Sequence, residues 1–149
     1  MIAHLLNEET TRAWIEPEDW RAAGRAVGDM LVNTGGVEPA YIEEMIQNIE
    51  EMGPYIVIIP GVALFHTKGD KNVHKVCLSL ATVKDGVLFG VPKKDPVKLL
   101  MAFASPDKKE HLTMLREIMS ILKNQDMMRA IVDAPTDGEI LHIIRENFS

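Results

Sequence analysis

His66 closes the most unusual stretch of the chain, Gly53-Pro54-Tyr55-Ile56-Val57-Ile58-Ile59-Pro60-Gly61-Val62-Ala63-Leu64-Phe65-His66. Apolar, β-branched residues run up to Pro60-Gly61, resume for four residues and stop at an imidazole. Runs of this kind, flanked by Pro and Gly, read as buried strand. The chain thus carries one titratable ring to the edge of a sheet. Thr67, Lys68 and Gly69 follow at once. They supply a hydroxyl, a cation and a flexible backbone, the parts needed to hold an anion beside that ring. Spacing alone also allows a strand-end histidine whose ring only meets a backbone carbonyl.

His111 is the second candidate. It falls in the first turns of a helix predicted from Asp107, directly after the apolar run Val97–Ala104. In α/β proteins the strand-to-helix connections face the ligand crevice. A helix start offers free N–H groups and the positive end of the macrodipole. If the two strand ends lie side by side, two imidazoles and a helix start converge. That constellation suits a phosphoryl group carried on one ring and steadied by the other. Histidine fits the acceptor role because its ordinary pKa of ~6.5 leaves it substantially neutral near pH 7. Such a transfer depends mostly on positioning and charge stabilisation.

Rival chemistries have less support. His66, Asp70, His74 and His111 are candidate zinc ligands, but their spacing matches no familiar metal motif. The one cysteine, Cys77, lies in an apolar run and reads as core. No Gly-x-Ser-x-Gly elbow and no Gly-rich nucleotide fingerprint occurs. No cofactor is therefore expected. His4, in an N-terminal strand or turn, and His142, on the last helix, read as structural. His74 reads as a solvated loop residue.

The elements that must position these groups follow from periodicity. Helices are predicted over Glu18–Val32 and from Glu38 or Pro39 to Gly53. Strands are predicted at Tyr55–Ile59, Val62–Phe65, Val76–Val83 and, after a Lys84-Asp85-Gly86 turn, Val87–Phe89. Pro96–Ala104 reads as the central strand. A third helix runs from Asp107 to about Lys123, with Leu112, Leu115, Ile118, Met119 and Leu122 on its apolar face and capping-box spacing between Asp107 and Glu110. Shorter helices follow at Asp126–Val132 and Asp137–Asn147. The order implies an α/β fold, a mixed β-sheet sandwiched between α-helices.

The 149 residues suit a single domain, 1–149, and the net charge of −6, with Lys and Arg dispersed, argues against nucleic acid as a partner. No basic-then-apolar leader and no stretch near the ~20 residues needed to span a bilayer is present, so a cytoplasmic location without membrane insertion is expected.

The segment from Asn48 to His66 resembles the active-site region of enzyme IIA of the bacterial phosphotransferase system, in the mannitol/fructose superfamily and more closely its ascorbate-type branch. Gly53-Pro54-Tyr55 and Pro60-Gly61-Val62-Ala63-Leu64 carry most of the likeness. Ala104-Ser105-Pro106-Asp107-Lys108-Lys109-Glu110-His111-Leu112 is similar to the family's second histidine segment. The family's usual Pro-His-Gly reads Phe65-His66-Thr67 here, with Lys68 next. The resemblance implies the enzyme IIA mannitol/fructose-type fold. It implies phosphorylation of His66 by a histidine-containing phosphocarrier protein, passage of the group to a cysteine of enzyme IIB, and a supporting role for His111. Thr67 and Lys68 are then the phosphate-binding candidates. A regulatory interaction module on the same fold is the alternative.

Overall fold

The computed structural model describes residues 1–68 and 70–148. Gly69, named above as the flexible part of the loop, and the Asp70 side chain lie outside the described residues. The chain opens with a short helix, α1 (Ile2–Leu5), and an edge strand, β1 (Thr11–Ile15). His4 therefore sits in a helical turn rather than a strand. Two helices follow, α2 (Trp20–Asn33) and α3 (Pro39–Met52). Asp19 caps α2 by accepting from the Ala22 N–H, and Pro39 starts α3 at a position where a missing N–H costs nothing. Then come β2 (Val57–Ile59), β3 (Val62–Phe65), β4 (Cys77–Val87) and β5 (Val97–Ala104). The chain finishes with α4 (Lys108–Lys123), α5 (Gln125–Asp133) and α6 (Asp137–Phe148).

The five strands form one mixed sheet in the order β1-β4-β5-β3-β2, so β5 is central. β3 runs parallel to β5, with Val62 opposite Leu99 and Phe65 opposite Ala102. β4 pairs antiparallel with β5 and parallel with β1. Alternation along each strand sends residues to two cores. Ala63, Phe65, Leu100 and Ala102 pack beneath α2 and α3, whereas Leu64, Leu99, Met101 and Phe103 pack beneath α1, α4, α5 and α6.

Two expectations need correction. Lys84-Asp85-Gly86 does not end a strand. β4 continues through it, and the register jumps from Thr82 opposite Leu99 to Val87 opposite Val97. These turn-forming residues are used as a bulge, with Gly86 at φ 79° and its α-carbon facing Pro96 too closely for a side chain. Leu112 does not join the core. The buried face of α4 is Met114, Ile118, Ile121 and Leu122, and Leu112 is 61% exposed beside His111.

α3 must lie close against α2 because it supplies side chains to the site described next. Gly28 permits this: a β-carbon there would stand 2.6 Å from Ile42 Cδ1. The ion pairs Arg21–Glu50 and Arg25–Glu43 also join these helices, but they are exposed and contribute little. Gly28→Val is expected to lower stability by about 1–3 kcal/mol through overpacking. Urea unfolding measures this, and an unchanged midpoint would show that the contact is not tight.

Candidate active site

Parallel pairing brings the C-terminal ends of β3 and β5 to the same edge of the sheet. His66 leaves β3 on the face that carries Leu64. His111 lies on the first turn of α4, after the β5 exit. Both line one cleft of about 570 Å³, together with Thr67 and Lys68. All four residues singled out from the sequence thus meet at one place. Phe103, fully buried, joins the two imidazoles. Its ring stacks on His66 at 5.4 Å between centroids and lies 5.0 Å from His111. Tyr55 meets His66 edge-on at 5.9 Å.

His66 Nδ1 lies 2.7 Å from the Leu64 carbonyl. A carbonyl can only accept, so Nδ1 carries the proton and Nε2 keeps a bare lone pair. The backbone contact that the spacing allowed is present, and it serves the chemistry by fixing the tautomer. Burial pushes the His66 pKa down; the Leu64 carbonyl opposes this and His111 adds to it. The net direction is downward, so the ring is neutral and nucleophilic near pH 7.

The segment after His66 is held from α3 and its exit. The Tyr55 hydroxyl donates to the His66 carbonyl at 2.9 Å. The Thr67 N–H donates to the Tyr41 hydroxyl at 3.2 Å, and Asn48 Nδ2 donates to Thr67 Oγ1 at 2.7 Å. Because Thr67 Oγ1 accepts from Asn48, its own proton remains free to donate toward the cleft. Sequence reasoning singled out neither Tyr41 nor Asn48 as a site residue. The signal that could have found them is their seven-residue separation, two helical turns on one face.

The start of α4 differs from expectation. Asp107 caps it alone, accepting from the Lys109 N–H at 2.9 Å, and Ser105 Oγ accepts from the Asp107 N–H at 3.2 Å. A carboxylate therefore already takes up part of the helix start that was expected to serve an anion. Its negative charge leaves more of the anion's countercharge to Lys68, which lines the cleft.

The other histidines lie elsewhere. His74 pairs with Glu38 at 3.1 Å and His142 with Glu146 at 3.0 Å, both on the surface. Among the described residues no three His, Cys, Asp or Glu side chains are grouped to hold a metal ion. Cys77 is buried, and burial pushes its thiol up to about 12, which suits core rather than nucleophile.

Residues 4–147 match the family model for the phosphoenolpyruvate-dependent sugar phosphotransferase system, EIIA 2. The chain belongs to this EIIA family. It is 30% identical over 141 residues to the ascorbate-specific PTS system EIIA component of Escherichia coli (strain K12), covering 94% of this chain and 92% of that one. A PTS IIA (PtxA) from Streptococcus mutans superposes with a TM-score of 0.86 at 27% identity, covering 97% of this chain and 92% of that one. Enzyme IIA-mannitol of E. coli, solved in complex with phosphorylated enzyme IIB-mannitol, shares the fold with a TM-score of 0.82 at 21% identity, covering 95% and 97%. This EIIA is therefore a phosphotransferase component of a sugar phosphotransferase system, built on the mannitol-type fold expected from its sequence. Among its described residues no helix is long and apolar enough to cross a membrane.

The depressed His66 pKa has a sign that can be measured. The unfolded chain binds the His66 proton more tightly than the folded EIIA does. The neutral ring's contribution is complete above the unfolded value of ~6.5 and is lost as pH falls through it toward the folded value. Proton NMR titration of the His66 ring is expected to give a midpoint below ~6.5, and His66→Gln to lose less stability than wild type between about pH 7.5 and 5.5. A midpoint at or above the ordinary value would contradict the burial argument.

Proposed function

We propose that His66 is the phosphoacceptor of this EIIA and that Nε2 is the atom phosphorylated. The observation that carries the reading is the Nδ1–Leu64 bond on a half-buried, neutral ring that opens on the cleft. A phosphorylated histidine-containing phosphocarrier protein is the donor. An Nε2–P bond forms as the donor's N–P bond breaks, and that bond's electron pair returns to the donor ring. The His66 ring becomes cationic, and its Nδ1–H to the Leu64 carbonyl stabilises that charge. A cysteine thiolate of an enzyme IIB then attacks phosphorus: an S–P bond forms, the Nε2–P bond breaks, and the ring returns to neutral.

His111, across Phe103, steadies the phosphoryl oxygens. Thr67 donates its hydroxyl proton and Lys68 supplies charge. Residues 1–149 act as one domain in the cytoplasm and deliver the group toward sugar entering through a membrane enzyme IIC. The ascorbate-specific relatives make an ascorbate-type system the first to test. A regulatory module that senses phosphorylation state is the second reading, favoured by the departure at Phe65, Thr67 and Lys68 from the family's usual residues around the histidine.

Intact mass after incubation with phosphoenolpyruvate, enzyme I and the phosphocarrier tests the assignment. Wild type is expected to gain one acid-labile phosphoryl group and His66→Ala none; undiminished labelling of that variant would sink it. His111→Ala is expected to slow onward transfer to enzyme IIB more than it lowers labelling. Wild type that labels but passes nothing to any enzyme IIB would favour the regulatory reading.

Lys68 is testable by charge alone. The phosphoryl group brings about two negative charges near pH 7, and the helix start offers only about half a compensating charge. Lys68→Met is expected to lower the steady-state phosphorylated fraction at low salt and Lys68→Arg to retain it. The difference should shrink at ~0.5 M salt, where exposed charges are screened. Equal fractions in wild type and Lys68→Met at low salt would remove Lys68 from the site.

A further inference from the structure

The β3–β5 ladder ends with Phe65 opposite Ala102. In a parallel ladder the bonds are evenly spaced, and alternate residues of one strand bond to the two neighbours of their partner. The Leu99 N–H donates to the Gly61 carbonyl, which places Gly61, Ala63 and Phe65 in the bonded series. Thr67 is next. Its N–H, by that register, should donate to the Phe103 carbonyl. It does not: the Tyr41 hydroxyl stands between them. It accepts from the Thr67 N–H at 3.2 Å and donates to the Phe103 carbonyl at 2.9 Å. The Thr67 carbonyl, at 3.3 Å, is the more distant alternative for the single phenolic proton.

We infer that Tyr41 is a positioning residue whose hydroxyl replaces the last rung of the ladder and so sets the separation of the two strand ends that carry His66 and His111. The inference rests on the reading of His66 as phosphoacceptor. Tyr41 is fully buried and touches neither cleft imidazole by hydrogen bond. Burial raises its pKa, so the hydroxyl keeps its proton throughout the neutral range. One of the groups it holds belongs to the residue after His66. The other belongs to Phe103, whose ring lies against both imidazoles. With the hydroxyl gone, the Thr67 N–H and Phe103 carbonyl must either close on one another or stay unpaired. Closing draws the two strand ends together, and an unpaired rung removes the restraint on their separation, so either outcome alters how His66 is held relative to His111.

Tyr41→Phe keeps the buried ring and removes only this oxygen. Phosphoryl transfer from the phosphocarrier is expected to fall about tenfold in kcat, the scale of a sub-ångström misplacement, with KM for the phosphocarrier unchanged because Tyr41 has no exposed surface for it to touch. The His66 ring titration by NMR is expected to shift as well. A role confined to stability would lower the melting temperature but leave kcat per folded molecule and the His66 titration at wild-type values, and that result overturns the inference. The His66→Ala control separates the two claims: if it abolishes labelling while Tyr41→Phe transfers normally, the phosphoacceptor stands and the positioning role falls. If His66→Ala labels normally, the phosphoacceptor falls, and the ring titration alone decides for or against the Tyr41 spacing.

Discussion

Parallel pairing of β3 with β5 is the constraint on which the site depends. Two parallel strands end at the same edge, so an imidazole at the end of one and a helix at the end of the other must become neighbours. The cost is a set of backbone polar groups released just where the ladder stops. Buried donors and acceptors are costly to leave without partners. In this EIIA, α3 and its exit answer that need: the Tyr41 hydroxyl accepts from the Thr67 amide, Asn48 donates to the Thr67 hydroxyl and Tyr55 donates to the His66 carbonyl. The helix is held near enough to do so by the glycine contact with α2. Support of the backbone and support of the chemistry are one arrangement.

Electrostatics divides the work differently. The protein carries a net charge of −6, and a carboxylate caps the helix start nearest the site. A strongly cationic cleft would hold a phosphoryl group too well for a carrier that must give it up. On the proposed reading, Lys68, the Thr67 hydroxyl and His111, all lining the cleft, supply moderate stabilisation instead. Burial of His66 acts on the same balance. On the reading of His66 as phosphoacceptor, it keeps the ring neutral before transfer and makes the cationic phosphorylated ring relatively costly, which favours onward transfer.

The fold was largely legible because its core elements are long and strongly periodic. β5 alternates between two cores, and α2 and α3 each show one apolar stripe. The failures have specific causes. β1 is a short edge strand with Arg12 exposed and a register shift before Ile15, so its alternation is too brief to stand out. Lys84-Asp85-Gly86 has turn chemistry, and nothing local distinguishes a hairpin turn from a bulge inside a long strand. At the site, His66 and His111 were legible from strand and helix ends. Tyr41, Asn48 and Phe103 were not, because each also satisfies an ordinary helix or strand pattern, and their roles come from contacts between residues far apart in sequence.

Leu112 marks where periodicity and function part. Its spacing on α4 fits a core position, yet it is 61% exposed beside His111, and Met52 on the cleft wall is 66% exposed. An exposed apolar side chain loses stabilisation that burial would provide. A group transferred between two proteins needs water kept from the reacting phosphorus, and in the free chain the cleft stands open beside Met52. Met52 and Leu112 would regain burial only where another surface covers them. On the proposed reading that cover is a phosphotransfer partner's surface, and the stabilisation forgone in the free protein reappears as affinity at the moment of transfer.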